Sequence, residues 1–556
     1  MPQSLDDLYR EAIRLHQQGQ AKQARRAYDN ILDRRPDHAG ALHLKGVLAL
    51  QAGDFDTAIN LIQRSLRIEP RHALALSNLS VALRNKGRLH EAIEALERAI
   101  VIGPPTADAW TNLSQTQMEA GRTAESVASA RQAIALKPER LGARQFMVFG
   151  TNYLAEMDPL ALTADAREYG AIAAQQIPPR LHHDNSPDPE RVIRVGLVSA
   201  DLRAHAVGRF LISFLPLIDR TRLELIAYSE APRPDALTAR FKAAIPNWRD
   251  TAELDHRAFK AQVIADKIDV LVDLGGHTSR RLEAFSGKPA PVSFTWLGYF
   301  ATTGIAQIDY VLCNRWVLPE SEEAQWVEKP WRMPDTYLCF SEPQGAGEPT
   351  PLPALSAGQL TFGSFNNFSK LSDATLTAWS SVLGGVPNSR LILRAARSDQ
   401  QGVVDALKGR MAAAGIDLAR VRIDPTISDY AAHLRSYGEI DIALDPFPYN
   451  GGTTTVEALY MGVPVLVRAG DRYVAHMGES ILHNAGLTDW IAPNAASYPG
   501  LAARMASDLS ALAELRAGLR ARMLASPLFD APRFARNFED AVRGMWRNWC
   551  AAQGRA

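Results

Sequence analysis

The sequence has few cysteines, no surplus of charge and no long apolar run. Its 556 residues include only Cys313, Cys339 and Cys550, which are too few and too scattered for a disulfide framework or a cysteine-based metal site. Sparse cysteine favours a reducing compartment. Lys plus Arg total 61, as do Asp plus Glu, so the formal net charge is zero. This balance argues against nucleic acid or an anionic membrane as the main partner, because both require excess positive charge.

The sequence also gives no sign of a targeting or membrane segment. Its first residues lack the basic start and apolar run of a signal peptide. No stretch approaches the roughly 18 uninterrupted apolar residues of a membrane helix. We therefore expect a cytoplasmic protein with no membrane or nucleic-acid partner. A hydrophobic content of 46% and a charged content of 22% are typical of a folded globular protein, and the length predicts about three to four domains.

The first quarter of the chain is a repeat array with a period of 34 residues. Three kinds of position recur in register: a proline, a glycine and a small residue between them. The prolines are Pro36, Pro70, Pro104 and Pro138, the glycines are Gly19, Gly53, Gly87 and Gly121, and the small residues are Ala24, Ala58, Ala92 and Ser126. This period and these positions are the signature of tetratricopeptide repeats. We predict four helix pairs over residues 1–138, stacked into a superhelix with a concave face.

Asn78 and Asn112 occupy the same position in consecutive repeats, on the first helix of each pair. A ladder of amides can bind a peptide backbone without reading its sequence. The alternative is that both are solvated helix residues, since the first two repeats carry Arg10 and Leu44 there. The ladder hypothesis makes the repeat groove a binding site for a protein or peptide acceptor.

The rest of the chain changes from helical repeats to alternating strands and helices. Residues 139–190 are predicted to be a helical adaptor followed by a proline-rich linker. Short apolar runs then predict strands near 192–200, 223–229, 268–274, 291–297 and 308–314, and, after a Pro/Gly-rich break, near 360–365, 390–394, 421–423, 440–444 and 463–467. Two such series predict two Rossmann-like α/β lobes, at 191–345 and 346–556. Ligands of these lobes bind beyond the carboxyl ends of the strands.

Candidate functional residues follow several of these strands. Gly451, Gly452, Thr453 and Thr454 open a predicted helix, whose free N–H groups and dipole suit phosphate. Glu457 comes one turn later, where a carboxylate can accept hydrogen bonds from ribose hydroxyls. The alternative is a simple threonine-capped helix.

Three further candidates are single residues. Lys370 follows the first strand of the second lobe and can neutralise a diphosphate leaving group. His205 and His277 follow strands of the first lobe, although most lone histidines are structural. No metal site is evident: the Asp54-Phe-Asp56 pair falls in a repeat loop, where it is expected to cap a helix.

Taken together, the motifs resemble those of protein O-GlcNAc transferases. They are Val198-Ser-Ala-Asp-x3-His205, Lys288-Pro-Ala-Pro-Val-x3-Trp-Leu-Gly-Tyr299, Phe365-Asn-Asn-x2-Lys370, Leu444-Asp-x-Phe-Pro-Tyr-Asn-Gly-Gly-Thr-Thr-Thr-x-Glu457 and Ser526-Pro-Leu-Phe529. The resemblance extends from about residue 5 to Trp546 and is to a compact bacterial member of the family. It implies a GT-B fold and an inverting transfer of N-acetylglucosamine from UDP-GlcNAc to Ser or Thr hydroxyls, with no metal and no other cofactor.

The resemblance also implies roles for individual residues. Lys370 contacts the diphosphate, His205 is the general base or a substrate-positioning residue, and Asp266 is a rival base. The residues implied to bind the nucleotide sugar are Asn367, His433, Gly451, Gly452, Thr453, Thr454, Glu457, Leu297 and Gly298.

This sequence departs from the family pattern near the expected nucleotide. Gly452 stands where animal enzymes carry a histidine, His476 stands where relatives often carry arginine, and Tyr430 and Ser436 replace basic residues. A pocket with less positive charge leaves other donors open, namely GDP-fucose or a UDP-hexose. A third hypothesis is a repeat-based adaptor whose lobes have lost catalysis.

Overall fold

The computed structural model describes residues 4–231, 233–396 and 398–554, which form two compact units, 1–150 and 151–556. The boundaries expected from the sequence stay predictions. Across the described residues, no helix combines the length and apolar character that a bilayer crossing needs.

The first unit consists of helix pairs that match the predicted repeats. Its repeat helices are α1 Leu5–Gln17, α2 Ala21–Arg34, α3 Ala39–Gln51, α4 Phe55–Ile68, α5 Ala73–Asn85, α6 Leu89–Ile102, α7 Ala107–Glu119 and α8 Thr123–Leu136, and α9 Leu141–Thr151 follows them. The repeated glycine ends the first helix of each pair with a positive φ, from 73° at Gly19 to 76° at Gly121, a conformation that glycine adopts without strain.

The small residue of each repeat is fully buried between the paired helices. Ala24, Ala58, Ala92 and Ser126 are all 0% exposed, so a larger side chain there would separate the helices. In the last repeat the Ser126 hydroxyl donates to the Ser114 carbonyl at 2.7 Å, which satisfies the one polar member of the set.

The second unit contains two α/β lobes preceded by the helix α10 Pro159–Gln176. The elements of the first lobe are β1 Ile193–Ser199, α11 Ala206–Phe214, β2 Leu223–Ser229, α12 Ala236–Ala244, β3 Asn247–Asp250, α13 His256–Ala265, β4 Val270–Asp273, α14 Leu282–Phe285, β5 Val292–Thr295, β6 Tyr310–Cys313 and β7 Lys329–Arg332. Within its described residues the sheet is entirely parallel, in the order β3-β2-β1-β4-β5-β6-β7.

The second lobe repeats this architecture with a smaller sheet. Its elements are α15 Pro353–Ala357, β8 Leu360–Ser364, α16 Asp373–Gly385, β9 Ser389–Arg394, α17 Gln401–Ala413, β10 Val421–Asp424, α18 Tyr430–Arg435, β11 Ile442–Leu444, α19 Thr453–Tyr460, β12 Val465–Arg468, α20 Met477–Asn484, β13 Ile491–Ala492, α21 Tyr498–Ser507, α22 Leu509–Leu524 and α23 Ala531–Gln553. Within its described residues the strands are parallel in the order β10-β9-β8-β11-β12-β13. The expected repeat array followed by two Rossmann-like lobes is confirmed.

The last helix of the chain packs on the first lobe, not on the lobe to which its position in sequence assigned it. Phe538 of α23 is fully buried and lies 5.3 Å from Phe214 and 5.7 Å from Trp296, measured between ring centroids. Arg222 of the first lobe forms ion pairs with Glu539 at 2.8 Å and with Asp540 at 2.6 Å. The helix therefore ties the end of the chain to the first lobe.

Candidate active site

The cleft between the lobes is formed by loops at the carboxyl ends of the strands, as parallel α/β sheets require. Asn314, which follows β6, donates to the Ser480 hydroxyl of the second lobe at 2.9 Å. The His476 imidazole bridges the lobes, with Nε2 at 2.9 Å from Glu322 of the first lobe and Nδ1 at 2.7 Å from Glu479 of the second. These contacts hold the two sets of strand-end loops against each other.

Lys370 lies at the mouth of the second lobe, next to the glycine-rich turn. It ends a short 3-10 helix that follows β8, and its Nζ donates to the Asn450 carbonyl at 2.8 Å. The same ammonium lies 4.4 Å from the centre of the Tyr449 ring. Burial lowers the pKa of Lys370, and the neighbouring Asp445 carboxylate opposes that change. The structure thus brings a cation to the residue that precedes Gly451.

The turn around Gly451 is organised by Asp445, which follows β11. Asp445 is 1% exposed, and its Oδ1 accepts from the Gly451 amide at 2.8 Å and from the Asn366 side chain at 3.4 Å. Burial raises the pKa of this carboxyl, whereas the Gly451 amide and Lys370 act in the opposite direction. A Cβ at Gly451 would lie 2.5 Å from the Thr455 hydroxyl and 2.7 Å from Asp445 Oδ1, so only glycine fits.

Helix α19 begins at Thr453, directly after this turn, with no side-chain cap on its first amides. Thr454 donates its hydroxyl to the Asn366 side-chain oxygen at 2.9 Å, which links α19 to the end of β8. The free amides at the start of a helix and a nearby ammonium suit an anion such as phosphate. The structure therefore brings together Gly451, Gly452, Thr453, Thr454 and Lys370, as the sequence predicts. Their role in binding phosphate stays a prediction.

Glu457, one turn into α19, forms a polar group with two residues of α18. It is 3% exposed, its Oε1 accepts from the Tyr430 hydroxyl at 2.8 Å, and its Oε2 lies 3.5 Å from His433 Nε2. The carboxylate lies beside a cavity of about 280 Å³, which Phe365 also lines. A cavity of this size beside the turn can hold the nucleoside of a nucleotide whose phosphates lie at α19.

Asn367 follows the same strand end but is exposed, and its side chain accepts from the Ser369 amide at 3.2 Å. On the other lobe, Leu297 and Gly298 form a tight loop after β5. Leu297 is buried with a φ of +79°, and a Cβ at Gly298 would lie 2.0 Å from the Leu274 carbonyl oxygen. This close approach places the loop at the carboxyl end of β4, where a sugar pocket is expected.

His205 follows β1 and caps α11 at the cleft edge of the first lobe. Its Nδ1 lies 3.4 Å from both the Val207 amide nitrogen and Asp201 Oδ2, and its side chain is 42% exposed. Partial burial lowers the pKa of His205, although Asp201 opposes that shift. The imidazole is therefore neutral at neutral pH and able to accept a proton.

Asp266 and His277 are placed differently from His205. Asp266 directly follows α13 and precedes β4, at the amino end of that strand, where it accepts from Tyr228 at 2.8 Å and Arg249 at 3.1 Å. The geometry thus argues against Asp266 as a base in the cleft. His277 is 3% exposed beneath Tyr299, and burial lowers its pKa to about 4. His277 also has its Nε2 2.9 Å from the Thr303 carbonyl oxygen, so both side chains are engaged by other residues of the first lobe.

Two residues with a clear place in this site were not singled out from the sequence. Asp445 belongs to the sequence motif that ends at Glu457, and its position directly after a strand is the signal that it organises the next turn. Arg209, on α11, stacks on Tyr430 with its Cζ 3.3 Å from the ring centre. No sequence signal pointed to that contact, because the two residues lie in different lobes.

In the repeat unit, Asn78 is half-buried and its side-chain amide lies 2.9 Å from His43 Nε2. Asn112 is half-buried on α7, the equivalent helix of the next repeat. No group of three or more His, Cys, Asp or Glu side chains suited to a metal ion occurs within residues 4–231, 233–396 and 398–554.

Comparison with known proteins gives the same two-part organisation. Glycosyl transferase family 41 matches residues 171–343 and 353–538, and the tetratricopeptide repeat family matches 9–72, 43–107 and 82–140. An O-GlcNAc transferase mutant from Thermobaculum terrenum has a similar structure, with a TM-score of 0.77 and 30% identity over 99% of this chain and 98% of that one.

Curated relatives match about three quarters of this chain. The probable UDP-N-acetylglucosamine–peptide N-acetylglucosaminyltransferase SPINDLY of Arabidopsis thaliana is 36% identical over 75% of this chain and 46% of its own length. The SPINDLY protein of Solanum lycopersicum is also 36% identical, over 74% of this chain and 45% of its own length. The chain thus spans about half the length of these relatives. On its sequence and its fold alike, it belongs to glycosyl transferase family 41.

Proposed function

We propose that this chain is an inverting, metal-independent glycosyltransferase that moves N-acetylglucosamine from UDP-N-acetylglucosamine to Ser or Thr hydroxyls of proteins. The observation that carries the proposal is the Lys370 ammonium beside the uncapped start of α19, 2.8 Å from the carbonyl of Asn450. Family membership and the names of the relatives support the choice of reaction.

The second lobe provides the groups that stabilise a departing nucleoside diphosphate. Negative charge develops on the oxygen between sugar and phosphate as their bond breaks. The Lys370 ammonium and the first amides of α19 are preorganised donors for that charge, and such groups are effective in a site that excludes water. In this proposal they do the work that a divalent cation does in metal-dependent transferases.

The first lobe provides the proton acceptor. The acceptor hydroxyl attacks the anomeric carbon on the face opposite the diphosphate, and its oxygen forms the new glycosidic bond as the old one breaks. One displacement inverts the configuration at that carbon. The hydroxyl proton passes to His205, whose lowered pKa keeps it unprotonated beforehand. Asp201, whose carboxylate lies 3.4 Å from Nδ1, stabilises the imidazolium that forms through its negative charge.

The repeat unit is proposed to bind the protein acceptor. Stacked repeats offer an extended groove, and Asn78 and Asn112 give amides at equivalent positions one repeat apart. Such amides recognise a peptide backbone through its N–H and C=O groups, which are the same for every sequence.

Incubation of the protein with UDP-N-acetylglucosamine and Ser/Thr peptides tests the reaction. We expect a mass increase of one N-acetylhexosamine that persists in EDTA, and an NMR coupling that shows the inverted anomer. Retention of configuration or loss of transfer in EDTA would contradict the corresponding part of the proposal. The alternatives predict other results: stabilisation against heat by GDP but not UDP would indicate a guanosine donor, and binding of no nucleotide would indicate an adaptor.

A further inference from the structure

The cavity beside Glu457 is formed by the second lobe except for one residue. Its volume is about 280 Å³, and in the part of the chain that the structure describes, Arg209 of α11 is its lining residue from the first lobe. Arg209 comes one helical turn after His205, and its amide donates to the His205 carbonyl at 3.0 Å. Arg209, which lines the nucleoside cavity, and His205, the proposed base, are thus one turn apart on the same helix.

Arg209 reaches this cavity by lying flat on Tyr430. Its Cζ is 3.3 Å from the ring centre, and among the described residues its guanidinium has no hydrogen-bond or carboxylate partner. The Tyr430 ring is fixed in turn, because its hydroxyl donates to Glu457 at 2.8 Å. A guanidinium stacked on an aromatic face keeps its N–H groups in the plane of the stack, directed sideways.

The stack borders two cavities. A second cavity, of about 290 Å³, is also lined by Arg209 and Tyr430. Arg240 lines the second cavity but not the first. The position of the stack therefore sets the extent of the nucleoside cavity.

The charges around the cavity leave Arg209 as the cation available to a ligand. The other lining arginine, Arg394, forms an ion pair with Asp424 at 2.7 Å and stacks on Phe365 at 4.8 Å. The cavity also contains the Glu457 carboxylate. Tyr430 of the second lobe is uncharged, and the guanidinium that stacks on its ring belongs to Arg209 of the first lobe.

We propose that Arg209 is a nucleoside-binding residue, which donates from the first lobe to a ribose or base oxygen of the donor while Tyr430 acts as its platform. This inference rests on the proposed function. The positions of the neighbouring groups indicate which part of the donor Arg209 contacts. Lys370 and the start of α19 are proposed to bind the phosphates, and Glu457 lies one helical turn further from them. Tyr430 and Arg209 lie beyond Glu457, at the nucleoside. Bound donor thus joins the two lobes through Arg209.

Calorimetric titration of the full chain with UMP, UDP, GMP and GDP tests this assignment. For whichever nucleobase the wild type binds, Arg209→Ala should weaken the binding of the monophosphate and of the diphosphate by the same factor. We expect this factor to be about tenfold or more, since a hydrogen bond to a charged group is lost. Arg240→Ala removes the same charge from the neighbouring cavity and should bind both as wild type does. Arg209→Lys should recover less than half of the loss, because lysine cannot stack as a planar group.

The outcomes separate this inference from the proposed function. If the wild type binds no nucleotide, the proposed function fails. If it binds nucleotide and Arg209→Ala binds equally well, the role of Arg209 fails alone. A loss confined to the diphosphates would place Arg209 at the phosphates and overturn the nucleoside assignment. Full recovery in Arg209→Lys would overturn the role of stacking.

Discussion

The Lys370 ammonium donates a 2.8 Å hydrogen bond to the backbone carbonyl of Asn450, so a cation is fixed at the residue that precedes the glycine-rich turn. Because Asp445 holds the other side of that turn through the Gly451 amide, the cation, the turn and the start of α19 form one assembly. The two strands that deliver it, β8 and β11, are neighbours in the sheet.

Replacement of Lys370 by alanine should abolish most of the transfer activity. In the proposed mechanism the variant loses the charge that stabilises the leaving diphosphate, and loss of one such group lowers kcat by about 10²–10³-fold. Steady-state rates with UDP-N-acetylglucosamine measure the effect. Lys408→Ala, an exposed lysine on α17, is the matched control and should retain wild-type activity. Unchanged turnover in Lys370→Ala would remove this residue from the mechanism.

The rate of transfer should depend on pH through His205. A general base acts when unprotonated, so the rate rises with pH through the pKa of His205, and burial places this rise below the ordinary value of about 6.5. Since Asp201 raises that pKa, Asp201→Asn should move the rise to lower pH. His205→Ala should lose about 10²–10⁴-fold in rate and retain UDP binding. Equal losses of rate and binding would contradict a role on the acceptor side.

The fold was largely predictable because its strongest signals are periodic. The repeat spacing located the helix pairs, and apolar runs located the central strands. The strands β3, β7 and β13 were missed. β3 (Asn247–Asp250) and β7 (Lys329–Arg332) are short and polar, because edge strands are buried less than central ones, and β13 has only two residues. The return of α23 to the first lobe left no local signal, since it depends on contacts between distant residues.

The site was predictable only within each lobe. Residues after strand ends, such as Lys370 and Gly451, follow from the rule that parallel strands end at one edge. The pairs Arg209–Tyr430 and Glu322–His476 join separate lobes, and neither spacing nor composition encodes such a contact. Asp266 shows the converse: it lies between α13 and the start of β4, and its carboxylate is held by Tyr228 and Arg249, although family resemblance offered it as a base.

The bridge between the lobes at His476 should make stability depend on pH. Hydrogen bonds to Glu322 and Glu479 raise the pKa of His476 to about 9, although burial opposes them. A raised pKa means that the charged form stabilises the folded state fully below the unfolded value of about 6.5, and that this contribution is lost as pH rises through about 9. The difference in Tm between the wild type and His476→Gln should therefore decrease as pH rises from about 6.5 to about 9. A difference that stays constant from pH 6 to 10 would contradict the prediction.

A matched histidine variant separates this effect from general alkaline destabilisation. His182→Gln removes an exposed histidine of the same unit and should melt as wild type does at every pH. If both variants showed the same pH dependence relative to wild type, the bridge would not be the cause.

Truncation of Phe538 should destabilise the first lobe. The ring is fully buried among Phe214, Phe294 and Trp296, so Phe538→Ala leaves a cavity and should cost about 3–5 kcal/mol of unfolding free energy. Urea titration measures the change. Arg536→Ala, on the exposed side of the same helix, should change the free energy by less than about 0.5 kcal/mol. Similar losses in both variants would show that the helix contributes through its length and not through this contact.

Removal of the repeat amides should affect protein acceptors selectively. Asn78→Ala combined with Asn112→Ala removes the two amides that we propose bind the peptide backbone, so KM for a protein acceptor should rise several-fold, while hydrolysis of the donor in the absence of acceptor stays at its wild-type rate. Asn60→Ala, an exposed asparagine on α4, is the control for loss of an amide elsewhere in the array. An unchanged KM in the double variant would support the alternative of solvated helix residues. A parallel fall in donor hydrolysis would instead place the effect in the catalytic lobes.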